Sequence, residues 1–337
     1  MTRTARFKMA EALQYGKSVK DFGAVGDGKA DDTAAFEAAF AAGETLLAIP
    51  AGNYTIKKEL ALPKSLVIHA HRRAVICHGG FTVTGAVGLT VRGGIWDGGD
   101  AAFVFRSCRG VTLESVEIGV SDAALSFTDC EDVLLEDAVF GCPLRFGGRI
   151  EGVEGRRLES SAQAAVTVER NAEVSRFSLY DVKFGGFRHF FAADGAVLRD
   201  VSFSDLCGRA GEAAINIKNC ALHGVRMRSL TLADGFIELA GNKTEGLSIE
   251  RVTRDTETDT HPEKSTLVFG GEEATLFLDG VMLDAIISAK KSVPDVKIVA
   301  ARMASPLPGF RYTAEIPLSA KHVFRLPTGG WDALSVN

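Results

Sequence analysis

Three side chains in the middle of this 337-residue chain are of types that move protons: His189, Glu212 and Glu238. An unperturbed imidazole titrates near neutrality and can act as a general base. Two carboxyls held roughly 6.5–9.5 Å apart can protonate a glycosidic oxygen and activate water on the other face of the ring. Arg145, Arg188 and Lys218 can neutralise a ligand carboxylate, as elimination beside a uronate requires, with His189 or Lys218 taking the proton. Phe191 offers an apolar platform for a sugar ring, and Glu169 and Asn216 add polar contacts. The plainer alternative is a row of solvated charges, with Lys218 and Glu238 forming an exposed ion pair of little energetic weight. These residues are far apart in number, so only a fold that returns the chain repeatedly to one wall brings them together.

The repeat supplies such a fold. A unit made of a small or charged residue, an apolar one, a variable one and another apolar one recurs as Ser115-Val116-Glu117-Ile118, Asp137-Ala138-Val139-Phe140, Asp181-Val182-Lys183-Phe184, Asp200-Val201-Ser202-Phe203, Ser229-Leu230-Thr231-Leu232 and Gly280-Val281-Met282-Leu283. Several spacings are about 22 residues or twice that, with period-2 alternation inside each unit, which predicts a coil of stacked strands. Val111 then aligns with Val133, Leu113 with Leu135 and Ile118 with Phe140, on rungs roughly 4.8 Å apart. About ten rungs fit between Ser65 and Ala300.

The remaining composition narrows the function. A net charge of −5 gives no electrostatic case for nucleic acid, and no apolar run is long enough to span a membrane. Residues 1–16 read as a flexible arm without the apolar core of a secretory signal. Residues 17–64 read as an N-terminal cap: Asp31-Asp32-Thr33 sit where helix N-caps belong, Ala34–Ala42 favours helix, and Gly43 ends it. The coil is expected over 65–305 and a C-terminal cap or oligomer contact over 306–337. Cys108 and Cys130 fall at equivalent places in successive turns, which predicts buried free thiols stacked in the coil. Two constellations admit metals: Asp255, Glu257, Asp259 and Glu263 in an acidic insertion for Ca²⁺, and His69 with His71 for zinc. A solvated loop and a solvated strand face are the readings taken, so no cofactor is expected.

The segment Asp21-Phe22-Gly23-Ala24, Gly26-Asp27-Gly28, Asp31-Asp32-Thr33 and Pro50-Ala51-Gly52-Asn53-Tyr54 closely resembles the N-terminal signature of the pectate-lyase-like superfamily. That resemblance implies an all-β fold, a right-handed parallel β-helix with an N-terminal capping helix, and a polysaccharide lying along its outside. It leaves the reaction open among polygalacturonase-like hydrolases, polysaccharide lyases, mannuronan epimerases and phage tailspikes. Gly93-Gly94-Ile95-Trp96-Asp97-Gly98 is similar to a structural turn of polygalacturonases. Their catalytic pattern is not met: Ser121-Asp122-Ala123, Gly211-Glu212-Ala213 and His223-Gly224 echo its parts at the wrong spacing or with one carboxylate for two.

The resemblance also places the cleft on the strands before the Cys-type turn. There, alternation predicts an outward column of Val104, Ser126, Arg145, Thr167, Phe191, Asn216, Glu238 and Val268, flanked by Glu169, His189, Lys218 and Glu212. The expectation is therefore a polysaccharide-degrading enzyme, a glycoside hydrolase or polysaccharide lyase, acting on an acidic glycan. Glu212, Glu238 and His189 are its catalytic candidates. Arg145, Glu169, Arg188, Phe191, Asn216 and Lys218 are its substrate contacts. The rival expectation is a non-catalytic, tailspike-like or surface glycan-binding protein assembled as a homotrimer. With no signal peptide read, the expected setting is a phage virion, non-classical secretion or the cytoplasm.

Overall fold

The structure is a computed structural model that describes residues 16–98, 103–119, 123–160, 165–254, 260 and 264–269. Gly186, Phe187 and the strands Leu276–Asp279, Met282–Ser288, Val296–Val299, Ala301–Met303 and Tyr312–Glu315 are described by backbone alone. The arm up to Tyr15, the acidic residues Asp255, Glu257, Asp259 and Glu263, and the stretch from 316 onward lie outside the described residues. The fold is the expected right-handed parallel β-helix, and the chain divides into two compact units, Met1–Ala164 and Ala165–Asn337.

In the first unit, parallel ladders stack one rung on the next. One runs through Leu46–Ile49, Val67–Ala70, Thr90–Arg92, Arg109–Glu114 and Glu131–Glu136. Another runs through Phe81–Thr84, Phe103–Arg106, Leu125–Thr128 and Leu144–Gly147. Val111 pairs with Val133 and Leu113 with Leu135, the alignment read from the repeat. Coiling begins before Ser65, because Leu46–Ile49 is already in register with Val67–Ala70.

The interior follows from alternation. Phe105, Phe127 and Phe146 occupy the same inward place on successive rungs. Their rings stack face to face at 4.9 and 5.4 Å with interplanar angles of 9° and 11°. Burying each such side chain contributes about 1.5–3 kcal/mol, and favourable ring pairing adds about 0.5–1.5 kcal/mol. Cys108, Cys130, Cys142 and Cys220 are buried as free thiols, whereas Cys77 and Cys207 are exposed.

The small or charged residue that opens each repeat has a geometric cause. Ser115, Asp137, Asp181, Asp200 and Ser229 all take left-handed backbone conformations, with φ between 50° and 55°. A corner that bends one strand into the next needs this conformation, and Asp, Asn and Ser carry it more cheaply than bulky residues. The apolar residue that follows then drops into the core.

The helix spans Thr33–Ala41. Asp31 accepts from Thr33 N at 3.1 Å. Asp32 makes no side-chain cap; its buried carboxylate instead accepts from Val25 N at 2.6 Å and from Thr55 N at 3.3 Å. The N-terminal motif is thus a packing device. Gly26 (φ 65°) lies so close to Tyr54 that a Cβ there would meet the ring at 2.7 Å, and the Tyr54 hydroxyl donates to Pro50 O at 2.9 Å.

Candidate functional site

The second unit carries the candidate site on its ladder Val166–Val168, Phe191–Asp194, Ile215–Lys218, Ile237–Ala240 and Leu267–Phe269. Its register corrects one expectation. Val166 pairs with Phe191 and Thr167 with Ala192, so Ala192 points outward and Phe191 is buried, 1% exposed. Phe190 is buried too, stacked on Phe184 at 4.5 Å, while Phe191 meets Phe203 edge-on at 4.8 Å. The register shift between Phe184 and Phe187 absorbs the extra residue. A one-residue slip exchanges the two faces of a strand, so Phe191 is core and no sugar platform. The outward column of this unit reads Thr167, Ala192, Asn216, Glu238 and Val268.

Thr167, Glu169, Arg170, Ala192, Asp194, Asn216 and Lys218 line an open groove of about 270 Å³. Arg145 is exposed on the equivalent ladder of the first unit, beside Ser126.

His189 has a defined protonation pattern. Its Nδ1 lies 2.8 Å from Ala213 O; a carbonyl can only accept, so Nδ1 carries the hydrogen. In the neutral ring Nε2 is then an acceptor, facing Asn216 Nδ2 at 3.1 Å and Glu212 Oε2 at 3.6 Å. The Asn216 Oδ1 atom is left buried without a hydrogen-bond partner. Turning the amide over would only exchange which atom is left unsatisfied. An unsatisfied buried polar atom costs about 1–3 kcal/mol, and such sites call for a reason beyond packing.

Three ion pairs lie on this surface. Arg188 Nε lies 2.8 Å from Glu212 Oε1, Lys218 Nζ lies 3.1 Å from Glu238 Oε2, and Arg170 lies 2.5 Å from Asp194 Oδ2. Arg170, with help from Asn219 at 2.9 Å, holds the Asp194 carboxyl below its ordinary range. Backbone geometry sets the spacing. Gly235, with φ 89°, passes so close to Glu212 O that a Cβ there would sit 2.5 Å away. The Glu238 strand therefore follows tightly on the rung of Glu212.

Arg170, Asp194 and Asn219 join the site without having been anticipated. Their signal was available in the spacing, since each sits one rung from its partner. The two histidines of the first unit have protein partners of their own. His69 Nε2 lies 3.0 Å from Arg92, and His71 lies past the strand end, with Nδ1 accepting from Arg73 N at 3.1 Å. Among the described residues no group of three His, Cys, Asp or Glu is placed to hold a metal ion, and no helix is long and apolar enough to cross a membrane.

Comparison with known proteins adds the lineage. A pre-neck appendage protein of Bacillus phage B103 is 47% identical over 58 residues, which is 17% of this chain and only 7% of the appendage protein. The Streptococcus pneumoniae surface protein and adhesin PfbA superposes with a TM-score of 0.49 at 12% identity, covering 88% of this chain and 95% of that one. Tailspike protein 3 of bacteriophage CBA120 gives 0.47 at 14% identity over 95% and 61% of the two chains. A Yersinia enterocolitica family 28 exopolygalacturonase gives 0.46 at 10% identity over 79% and 77%. Residues 17–228 match the model of one family, and with that match covering more than half of the sequence this chain belongs to the rhamnogalacturonase A/epimerase, pectate-lyase-like family.

Proposed function

We propose that the groove of the second unit binds a polysaccharide and that the groups around His189 hydrolyse it. The observation that carries this reading is the His189 ring. It is fixed by Ala213 O and turns Nε2 toward Asn216, which lines the groove, and toward the Glu212 carboxylate. Glu212 in its protonated form can donate to the accepting Nε2 of His189 once side chains shift by a few tenths of an ångström, which holds the acid in place. Glu212 delivers its own proton to the glycosidic oxygen as the bond to the anomeric carbon breaks. Glu238, on the rung after Asn216, takes a proton from the water that adds to that carbon. Both products leave as free sugars. Elimination fits less well, because Arg188 and Lys218 already hold carboxylates of the protein.

Reducing-end release from a panel of plant, fungal and bacterial polysaccharides tests the proposal. Glu212→Gln and Glu238→Gln should each lower the rate by about 10²–10⁴ with the unfolding midpoint unchanged. No release from any polymer, or full rates in both variants, would refute it. The second reading is glycan binding without cleavage. The ion pairing of both carboxyls favours it, and it predicts retention on a polymer that is never shortened.

A further inference from the structure

We infer that the groove takes a neutral polysaccharide, not a polyuronate. This rests on the reading of the groove as a glycan site and departs from the acidic ligand expected from the cation count. A polyuronate needs unengaged cations. Here both cations that line the groove are already engaged by a carboxylate of the protein, Arg170 by Asp194 and Lys218 by Glu238, and on the same unit Arg188 is engaged by Glu212. Glu169 lies exposed on the groove wall and forms no ion pair among the described residues. The surface therefore presents one more negative charge than positive, and a chain with a carboxylate on every sugar would have to break these pairs or approach Glu169 unshielded. Repulsion between exposed charges reaches about 10 Å at ordinary salt, more than the width of one sugar ring.

The same groups suit hydroxyls. Glu169, Asp194 and Glu238 accept hydrogen bonds, and Thr167 adds a hydroxyl to a floor kept low by Ala192. With Phe191 buried, no outward residue of this ladder from Thr167 to Val268 is aromatic. Recognition falls to hydrogen bonding, and its salt dependence should be slight.

The test is affinity electrophoresis of the full chain through gels cast with neutral polymers (dextran, mixed-linkage glucan, mannan, galactan, xylan) or anionic ones (polygalacturonate, alginate, hyaluronan), at low and at high salt. The expected result is retardation by at least one neutral polymer, about tenfold stronger than by any polyuronate and little changed by salt. Ala192→Arg, which fills the floor, should abolish it. Glu238→Gln and Asp194→Asn release Lys218 and Arg170 and should raise polyuronate retardation about tenfold in a salt-sensitive way. Preferential binding of a polyuronate by the unaltered protein would overturn the inference and leave the glycan site standing. Binding of neither class, or neutral binding that survives Ala192→Arg, would remove both. A variant that fails to fold leaves the decision to the unaltered protein's own preference.

Discussion

Lowering the pH from 6.5 to 4 should weaken the first unit by about 3 kcal/mol through one side chain, His78. The ring is 7% exposed and sits between Phe81 and Phe103, at centroid distances of 4.7 and 5.7 Å. Its Nδ1 accepts from Gly80 N at 3.1 Å, so the folded state wants a neutral ring with its hydrogen on Nε2. Burial pushes its pKa down from 6.5 to about 4, and the Asp97 charge only partly opposes that. The folded pKa is depressed, so the unfolded chain takes up the proton first. Stability is whole above about pH 6.5, falls as the pH drops toward 4, and levels off below. A shift from 6.5 to about 4, at about 1.4 kcal/mol per unit, gives the figure above. Urea unfolding followed by Trp96 emission, in a Trp331→Phe background, reports on this unit, because Trp96 is fully buried 5.6 Å from Phe81. His78→Asn keeps an acceptor for Gly80 and cannot titrate. The stability gap between the two proteins should change by about 3 kcal/mol across that window. A gap constant to within about 0.5 kcal/mol would refute the reasoning.

Two further outcomes follow from burial. Phe127→Ala removes the middle ring of the stack between Phe105 and Phe146 and should cost about 3–5 kcal/mol, measured by the same urea titration. Phe127→Leu should cost clearly less. In the native protein a thiol reagent should label Cys207 first and Cys77 more slowly, since partial burial and Asp97 push the Cys77 thiol up. Cys108, Cys130, Cys142 and Cys220 should react only on unfolding; mass spectrometry of a labelling time course shows the order.

The coil was legible in the sequence because its rule is local. Each repeat needs one residue that tolerates a left-handed corner and then an alternating pair, and Ser115, Asp137, Asp181 and Ser229 announce those corners by type. Alternation likewise placed Phe105, Phe127 and Phe146 in one interior column. The outward face was legible only while the phase of alternation held. At Phe190-Phe191 two aromatics in succession are both buried, one at the corner and one in the strand. No count of apolar residues says which of them begins the rung. The register shift beside Phe184 decides it, and that shift arises from packing across rungs. The motif acids show the same limit: Asp32 sits where a helix cap belongs, yet its carboxylate serves the Val25 backbone.

Charge was the least legible property, for a related reason. Along the sequence Arg145, Arg188 and Lys218 read as cations open to an anionic ligand. In the coil Arg188 and Lys218, like the unanticipated Arg170, each meet a carboxylate about one rung further on: Glu212, Glu238 and Asp194. A stacked ladder turns a separation of two dozen residues into a side-chain contact, so the field of the groove depends on sums taken across rungs. Exposed pairs of this kind add little to stability, and holding the coil together does not explain why two of them sit at the groove. Their larger effect is on what can approach. They cancel the attraction that would draw in a polyanion, and they leave oriented donors and acceptors around His189 and Asn216, where an uncharged chain would meet them.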